Sequence, residues 1–258
     1  GSEMCIRDRA AIPTMTESVD DVIIYLEFVP IDGPSGTVGS AGPCLTRSGT
    51  AQSLVGGMRF DTDDLETLDN FGLMDDIVLH EMMHVLGFGI FWEGSNLPFD
   101  YLELPSDPSN PEYTEGMTDT HFTGPEATAQ FLAIGGDDYT GGEIVPVEND
   151  DSEYSTGSLD GHWRESVFDE EIMSTAANVD GDPMTIDNPL SVVTIGSFED
   201  LGYTVDYGAA DPYMQTFSVV LDPQLQAAEL EPVIDLSGDV WRGPIHAVGA
   251  DGTVRRIR

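Results

Sequence analysis

Apolar residues recur along this chain in rhythms that predict its elements. Residues 22–29, rich in Val, Ile, Tyr and Phe, and residues 54–60 read as strands; the first is bounded by Pro30 and a glycine-rich turn region running through Gly42. Between residues 73 and 88, Leu73, Ile77, Val78, Met82, Val85 and Leu86 fall close to a 3.6-residue period, which predicts a helix. Asp75 and Asp76 lie in its first turn, where carboxylates complement the helix dipole, and Gly87 lets the chain leave through a left-handed turn. From 91 to 160 the periodicity lapses. That stretch, rich in Gly, Pro, Asp and Thr, reads as an inserted surface lobe with one helical candidate at 125–133. A further helix is expected at 192–201, with Ser191 as its N-cap and Gly202 as its stop. Beyond Pro212, short apolar runs such as 217–221 and 233–236 suggest a β-rich extension over 213–258, which ends without an evident terminating element and reads as truncated. No internal repeat is visible. The fold class expected is α+β.

Composition narrows the setting. A chain of 258 residues with 40% hydrophobic side chains supports one sizeable core or a two-lobed domain, and no apolar run approaches a membrane span. Acidic residues number 48 against nine basic ones, all Arg, for a formal charge of −39. Such a surface repels nucleic acid and anionic membranes, so neither partner is expected. It suits a salty medium that screens self-repulsion, hence a marine or halophilic source is expected. Residues 1–10 stand apart: Gly1-Ser2 reads as a cloning scar, and Glu3 to Arg9 resembles a translated sequencing adaptor. Setting them aside leaves Cys44 as the one cysteine to consider, and a free or lost-partner thiol is expected.

The chemistry is concentrated in His80-Glu81-Met82-Met83-His84. On a helix, residues four apart lie one turn above each other, so both imidazoles can share one cation, while Glu81 emerges about 100° round the axis. That offset misses the metal yet reaches a metal-bound water, as a hydrolytic base must. A catalytic zinc normally takes three protein ligands, so a third is needed. Three positions beyond Gly87 stands Ile90, which rules out a compact motif. Glu103, with Asp107 four residues on, imitates a carboxylate ligand from a second helix, but Pro105 and Pro108 argue against a helix there. His121 and His246 have no neighbouring signature and read as ordinary loop histidines. His162 opens Gly161-His162-Trp163-Arg164-Glu165 and is followed by Glu170-Glu171-Ile172-Met173-Ser174.

With these segments in order, residues 20–212 resemble the leishmanolysin family of zinc metalloproteases, metzincins in which a long insertion separates the helix motif from the third histidine. The helix motif with its following Gly87, a glycine-rich insert, His162-Trp163, Glu171-Ile172-Met173 and the closing segment 191–203 carry the resemblance. His162 stands 162 − 84 = 78 positions after His84, a longer separation than the family leads one to expect. The resemblance implies a two-lobed metzincin domain over 11–212, with a mixed sheet and the active-site helix in the upper lobe and a loop-rich lower lobe. It implies Zn2+ held by His80, His84 and His162, Glu81 as general base, Met173 as the Met-turn residue beneath the metal, and Trp163 anchoring the loop of His162. The activity implied is endopeptidase cleavage of protein or peptide substrates outside the cell. The alternative is a binding or adhesion module that keeps zinc for structure. Two groups of oxygen-bearing side chains invite Ca2+: Asp137, Asp138, Glu143, Glu148, Asn149, Asp150, Asp151 and Glu153 in the insert, and Asn178, Asp180 and Asp182 after Met173. Neither has EF-hand spacing, and solvated loop acids are the preferred account.

Overall fold

The computed structural model describes residues 19–94, 97–103, 120–137, 144–149, 159–179, 188–214, 233–236, 238–241 and 243–257. The main sheet begins with β1 (Ile23–Val29), β2 (Gly39–Arg47) and β3 (Ser53–Asp61). β1 runs parallel to β3, with Ile23 opposite Val55 and Val29 opposite Asp61, while β2 runs antiparallel to β3 on its other side. The turn region expected through Gly42 ends earlier, because β2 already starts at Gly39. Glycine fits a strand where another element presses on the sheet, and a Cβ on Gly39 would run into Glu81.

Two helices follow, α1 (Leu65–Phe71) and α2 (Met74–Leu86). α2 ends on Gly87 at φ 111°, a conformation that admits glycine readily, and a Cβ there would strike the Phe91 ring. Ile77 and Val85 pack with Ala41, Met58, Phe60, Leu68 and Leu73 in a core between the sheet and the helices. Met83, from the same helix, enters a second core dominated by Phe88, Trp92, Phe122, Phe131, Trp163, Phe168 and Phe198. α2 is therefore clamped between two apolar cores, which fixes its rotation about its own axis.

The described parts of the stretch 91–160 are buried more deeply than a surface lobe would be. They include β4 (Leu102–Glu103), β5 (His121–Phe122) and β6 (Val145–Pro146), joined as a three-stranded sheet, and α3 (Pro125–Ala133). Phe122, Phe131, Val145 and Val147 are completely buried in the second core. Widely spaced single apolar residues leave no periodic trace in the sequence, so periodicity does not reveal this packing. After it come α4 (Glu165–Phe168), β7 (Ala176–Asn178) and α5 (Val192–Asp200). The Ser191 side chain accepts from the Thr194 amide and caps α5. Asp200 at the far end of α5 accepts from the amides of Glu126 and Ala127, capping α3 from a distance at 2.9 Å each.

The C-terminal region is β-structured where it is described, and it joins the elements above. β8 (Val233–Asp235) pairs antiparallel with β7; β9 (His246–Val248) lies parallel to β2, and β10 (Val254–Arg256) antiparallel to β9. The sheet order is β1-β3-β2-β9-β10. Residues 217–221 lie outside the described residues. Among those described, no helix is long and apolar enough to cross a membrane. Cys44 in β2 is disulfide-bonded, which corrects the expectation of a free thiol. The chain's other cysteine, Cys5, lies outside the described residues and within the adaptor-like segment.

Candidate metal centre

His80 and His84 project from one face of α2, a turn apart, and both are buried. The Nδ1–H of His80 donates to the Ile172 carbonyl at 2.5 Å, and that of His84 donates to the Phe88 carbonyl at 3.0 Å. A proton held on Nδ1 leaves the Nε2 lone pair of each ring free, the tautomer that a metal requires.

His162 reaches the same point from the far side of the insert. Its carbonyl accepts from the Glu148 amide at 3.0 Å, and the next residue, Trp163, receives support in several ways. The Trp163 amide donates to the Met173 carbonyl at 3.0 Å, its indole Nε1 donates to Thr194 Oγ1 at 2.8 Å, and its ring stacks on Trp92 with centroids 4.9 Å apart. Arg164 donates from Nε to the Val147 carbonyl and from Nη2 to the Thr120 carbonyl, tying the returning segment to the insert's strands. Beneath it, Glu171 accepts from the Met173 amide, the Ser191 amide and hydroxyl, and the Thr194 hydroxyl. Burial pushes the Glu171 carboxyl up, and these donors oppose the shift. Met173 is fully buried in the same core.

The three imidazoles meet tip to tip. Nε2 of His84 lies 3.1 Å from Nε2 of His80 and 3.2 Å from that of His162, and the remaining pair is 3.3 Å apart. Nitrogens bound at about 2.0–2.1 Å in a tetrahedral zinc site stand about 3.3–3.4 Å from one another. The spacing therefore fits one shared ion, and the donor types are those zinc accepts.

A fourth group completes the cluster. Asp239 Oδ2 is 2.8 Å from His80 Nε2, 3.3 Å from His162 Nε2 and 3.6 Å from His84 Nε2, so His80, His84, His162 and Asp239 form a buried set able to hold a metal. Asp239 Oδ1 is buried with no partner among the described residues. Burial raises the Asp239 carboxyl, but the charges of His162 and His84 and hydrogen bonds from His162 and His80 outweigh it and hold the group well below the ordinary range. That stabilisation needs positive charge at the Nε2 atoms; where His80 and His84 carry their protons on Nδ1 instead, a cation among the Nε2 atoms would have to supply it. No sequence signal marked Asp239. It sits in an irregular Gly-Asp-Val stretch, one of 48 acids, far from every motif.

Glu81 is fully buried, and among the described residues neither carboxylate oxygen has a hydrogen-bond partner. Its Oε1 faces Gly39 on β2. Burial and the nearby Asp239 carboxylate push the Glu81 carboxyl well above its usual range, against an opposing pull from Arg59. The other candidates fall elsewhere. Glu103 on β4 and His121 on β5 face each other, with Nε2 and Oε2 at 3.7 Å, and His246 is a strand residue of β9. Of the acids considered for calcium, Glu148 accepts from the Asn149 and Glu165 amides and from the Thr175 hydroxyl, and Asn178 is tied to Asn188 through its backbone. Asp138, Glu143, Asp150, Asp151, Glu153, Asp180 and Asp182 lie outside the described residues.

The family model for leishmanolysin matches residues 2–217. The match spans the helix motif, the insert, His162 and Met173, and it ends before β8 and Asp239. No curated protein matches the chain.

Proposed function

Because this chain belongs to the leishmanolysin family of metallopeptidases, we propose that it is a zinc-dependent endopeptidase in which His80, His84 and His162 hold the metal and Glu81 is the general base. The single observation that best supports this is the mutual approach of three Nε2 atoms within 3.3 Å beside a buried carboxylate that has no other partner. When bound, zinc supplies a Lewis acid that lowers the pKa of a water to about 7 and polarises a peptide carbonyl. The Ile172 and Phe88 carbonyls keep two of the rings in the ligating tautomer and fix their direction. Glu81 takes the proton from the attacking water and then delivers it to the amide nitrogen as the C–N bond breaks, so acid and amine leave with no covalent enzyme intermediate. Gly39 leaves room for the Glu81 carboxyl against β2, and an extended peptide would pair with β2 only where the C-terminal segment that now lies along it moved aside. Met173 takes the Met-turn role, as an apolar floor beneath the rings. The cellular address that goes with this family reading is extracellular or cell-surface.

Asp239 favours a second reading. Three imidazoles and a carboxylate make four protein ligands, the closed set typical of structural zinc. Metal analysis and casein cleavage, with Glu81→Gln and Asp239→Ala compared to the parent chain, separate the two. Stoichiometric zinc with cleavage that Glu81→Gln abolishes supports the peptidase. Zinc without cleavage in the parent chain and in Asp239→Ala assigns the site to structure.

A further inference from the structure

We propose that the described stretches 233–236, 238–241 and 243–257 act as a built-in inhibitory strap, which covers the edge of β2 that a peptide substrate would use and places the Asp239 carboxylate where the hydrolytic water must stand. The inference rests on the peptidase reading above.

The strap bridges the site from wall to wall. On one side β8 pairs with β7, and the Leu236 amide donates to the Thr175 carbonyl at 3.0 Å, two residues beyond Met173. On the other, the Ala41 amide donates to the Asp239 carbonyl at 2.9 Å, and the Trp241 amide donates to the Ala41 carbonyl at 2.8 Å. Val240 thereby bridges Ala41 in parallel, and β9 continues along β2 from Leu45 to Arg47. These are the backbone bonds an extended peptide would need, and the chain's own C-terminal region already makes them. β3 occupies the opposite edge of β2, so no alternative edge remains on that strand.

Side chains lock the same segment. Leu236 and Ile245 are buried, and the Trp241 Cβ packs over Gly42. Asp239, between them, is carried to the one point within 3.6 Å of all three Nε2 atoms. A tetrahedral ion on those nitrogens has a single vacant direction, and a carboxylate oxygen seated there leaves no place for water. Glu81, with both oxygens unpartnered, then has no proton to accept. The match to the leishmanolysin family ends at residue 217, so the strap lies outside the region that defines the peptidase domain.

The test uses full-length, zinc-loaded protein and three readouts: zinc retention against a chromophoric chelator, binding of acetohydroxamate as a probe of the open metal position, and casein cleavage. Asp239→Ala is expected to lose zinc affinity by a factor of about 10–100, the scale seen when a supporting group of a metal site is removed. It is expected to gain acetohydroxamate affinity and cleavage rate by about tenfold or more, the size of change that removing a competing occupant of the open position produces. Opposite movement of metal retention and probe binding is the signature. Unchanged zinc retention together with unchanged probe binding overturns the proposal. Gained probe binding with no cleavage in any variant leaves the strap standing and sinks the peptidase reading. Should Asp239→Ala lose its near-ultraviolet circular dichroism, Trp241→Ala replaces it, because that change loosens the strap without touching a ligand; probe binding equal to the parent chain then overturns the proposal.

Discussion

Replacing Glu165 by Gln should change how the protein's stability depends on pH. Glu165 opens α4, directly after His162-Trp163-Arg164, and its Oε2 accepts from the Ala176 amide of β7 at 3.0 Å. It therefore joins the segment carrying His162 to the strand that follows Met173. Burial raises its carboxyl from 4.5 to about 7; Ser174 and the Ala176 and Thr175 amides pull it down, and the Asp169 charge adds to the rise. A carboxyl raised in the folded state binds its proton more tightly there than in the unfolded chain. Its contribution to stability is thus fully present below about pH 4.5 and is lost as pH climbs through about 7. At about 1.4 kcal/mol per pH unit of displacement, the loss comes to about 3 kcal/mol. Gln keeps a carbonyl acceptor for Ala176 and cannot ionise. Urea unfolding of both proteins at saturating zinc, at pH 5 and pH 8, isolates the effect, since the other carboxyls cancel in the difference. The parent chain should lose about 2.5 kcal/mol more than the variant between those pH values. Equal losses would refute the assignment of a buried, proton-retaining carboxyl to this position.

Three further outcomes follow from the same packing. Gly39→Ala puts a Cβ against Glu81, so cleavage should fall by about 100-fold, as expected for a catalytic group moved by about 1 Å; zinc content should stay stoichiometric, and loss of zinc would show that Gly39 serves the fold instead. Trp163→Phe removes the indole donor to Thr194 and should cost about 1–3 kcal/mol in denaturant unfolding, with a cost near zero arguing against that bond. With a formal charge of −39, melting temperature should rise as NaCl is taken from millimolar to molar levels, and a flat profile would contradict self-repulsion as a stability term.

What could be read without coordinates followed from local periodicity. The helix expected at 73–88 appears as α2, Met74–Leu86, and the stretch 125–133 is α3 at the same bounds, because apolar spacing, Gly87 and Pro125 act within a turn or two of the residues they control. The strand of 22–29 is β1, and Ser191 caps α5 as its residue type suggested. β2 was obscured because its opening residues, Gly39, Ser40, Ala41 and Gly42, carry turn-like composition; their smallness answers to Glu81 and Trp241, partners distant in sequence. The same limit applied to the burial of the insert, where Phe122, Val145 and Val147 each find the Trp92–Trp163 core alone.

The metal centre divides along the same line, and the division bears on its regulation. His80, Glu81 and His84 were visible because helix geometry ties their chemistry to sequence spacing. His162 needed a family pattern, since 78 positions of chain close a loop whose entropy grows only with the logarithm of its length and so imposes no particular spacing. Asp239 had neither a spacing nor a pattern. Its position comes from backbone pairing with Ala41 and from the Leu236 and Ile245 contacts, interactions that any strand-forming segment of suitable shape could supply. A carboxylate brought to the candidate site by generic edge pairing is fixed by fewer elements than a side chain built into α2, whose rotation two cores fix. On the proposed metal site the Asp239 carboxylate is therefore the group of the four best placed to be exchanged, and competition for the edge of β2 by an extended peptide is the physical route by which such an exchange would open the site.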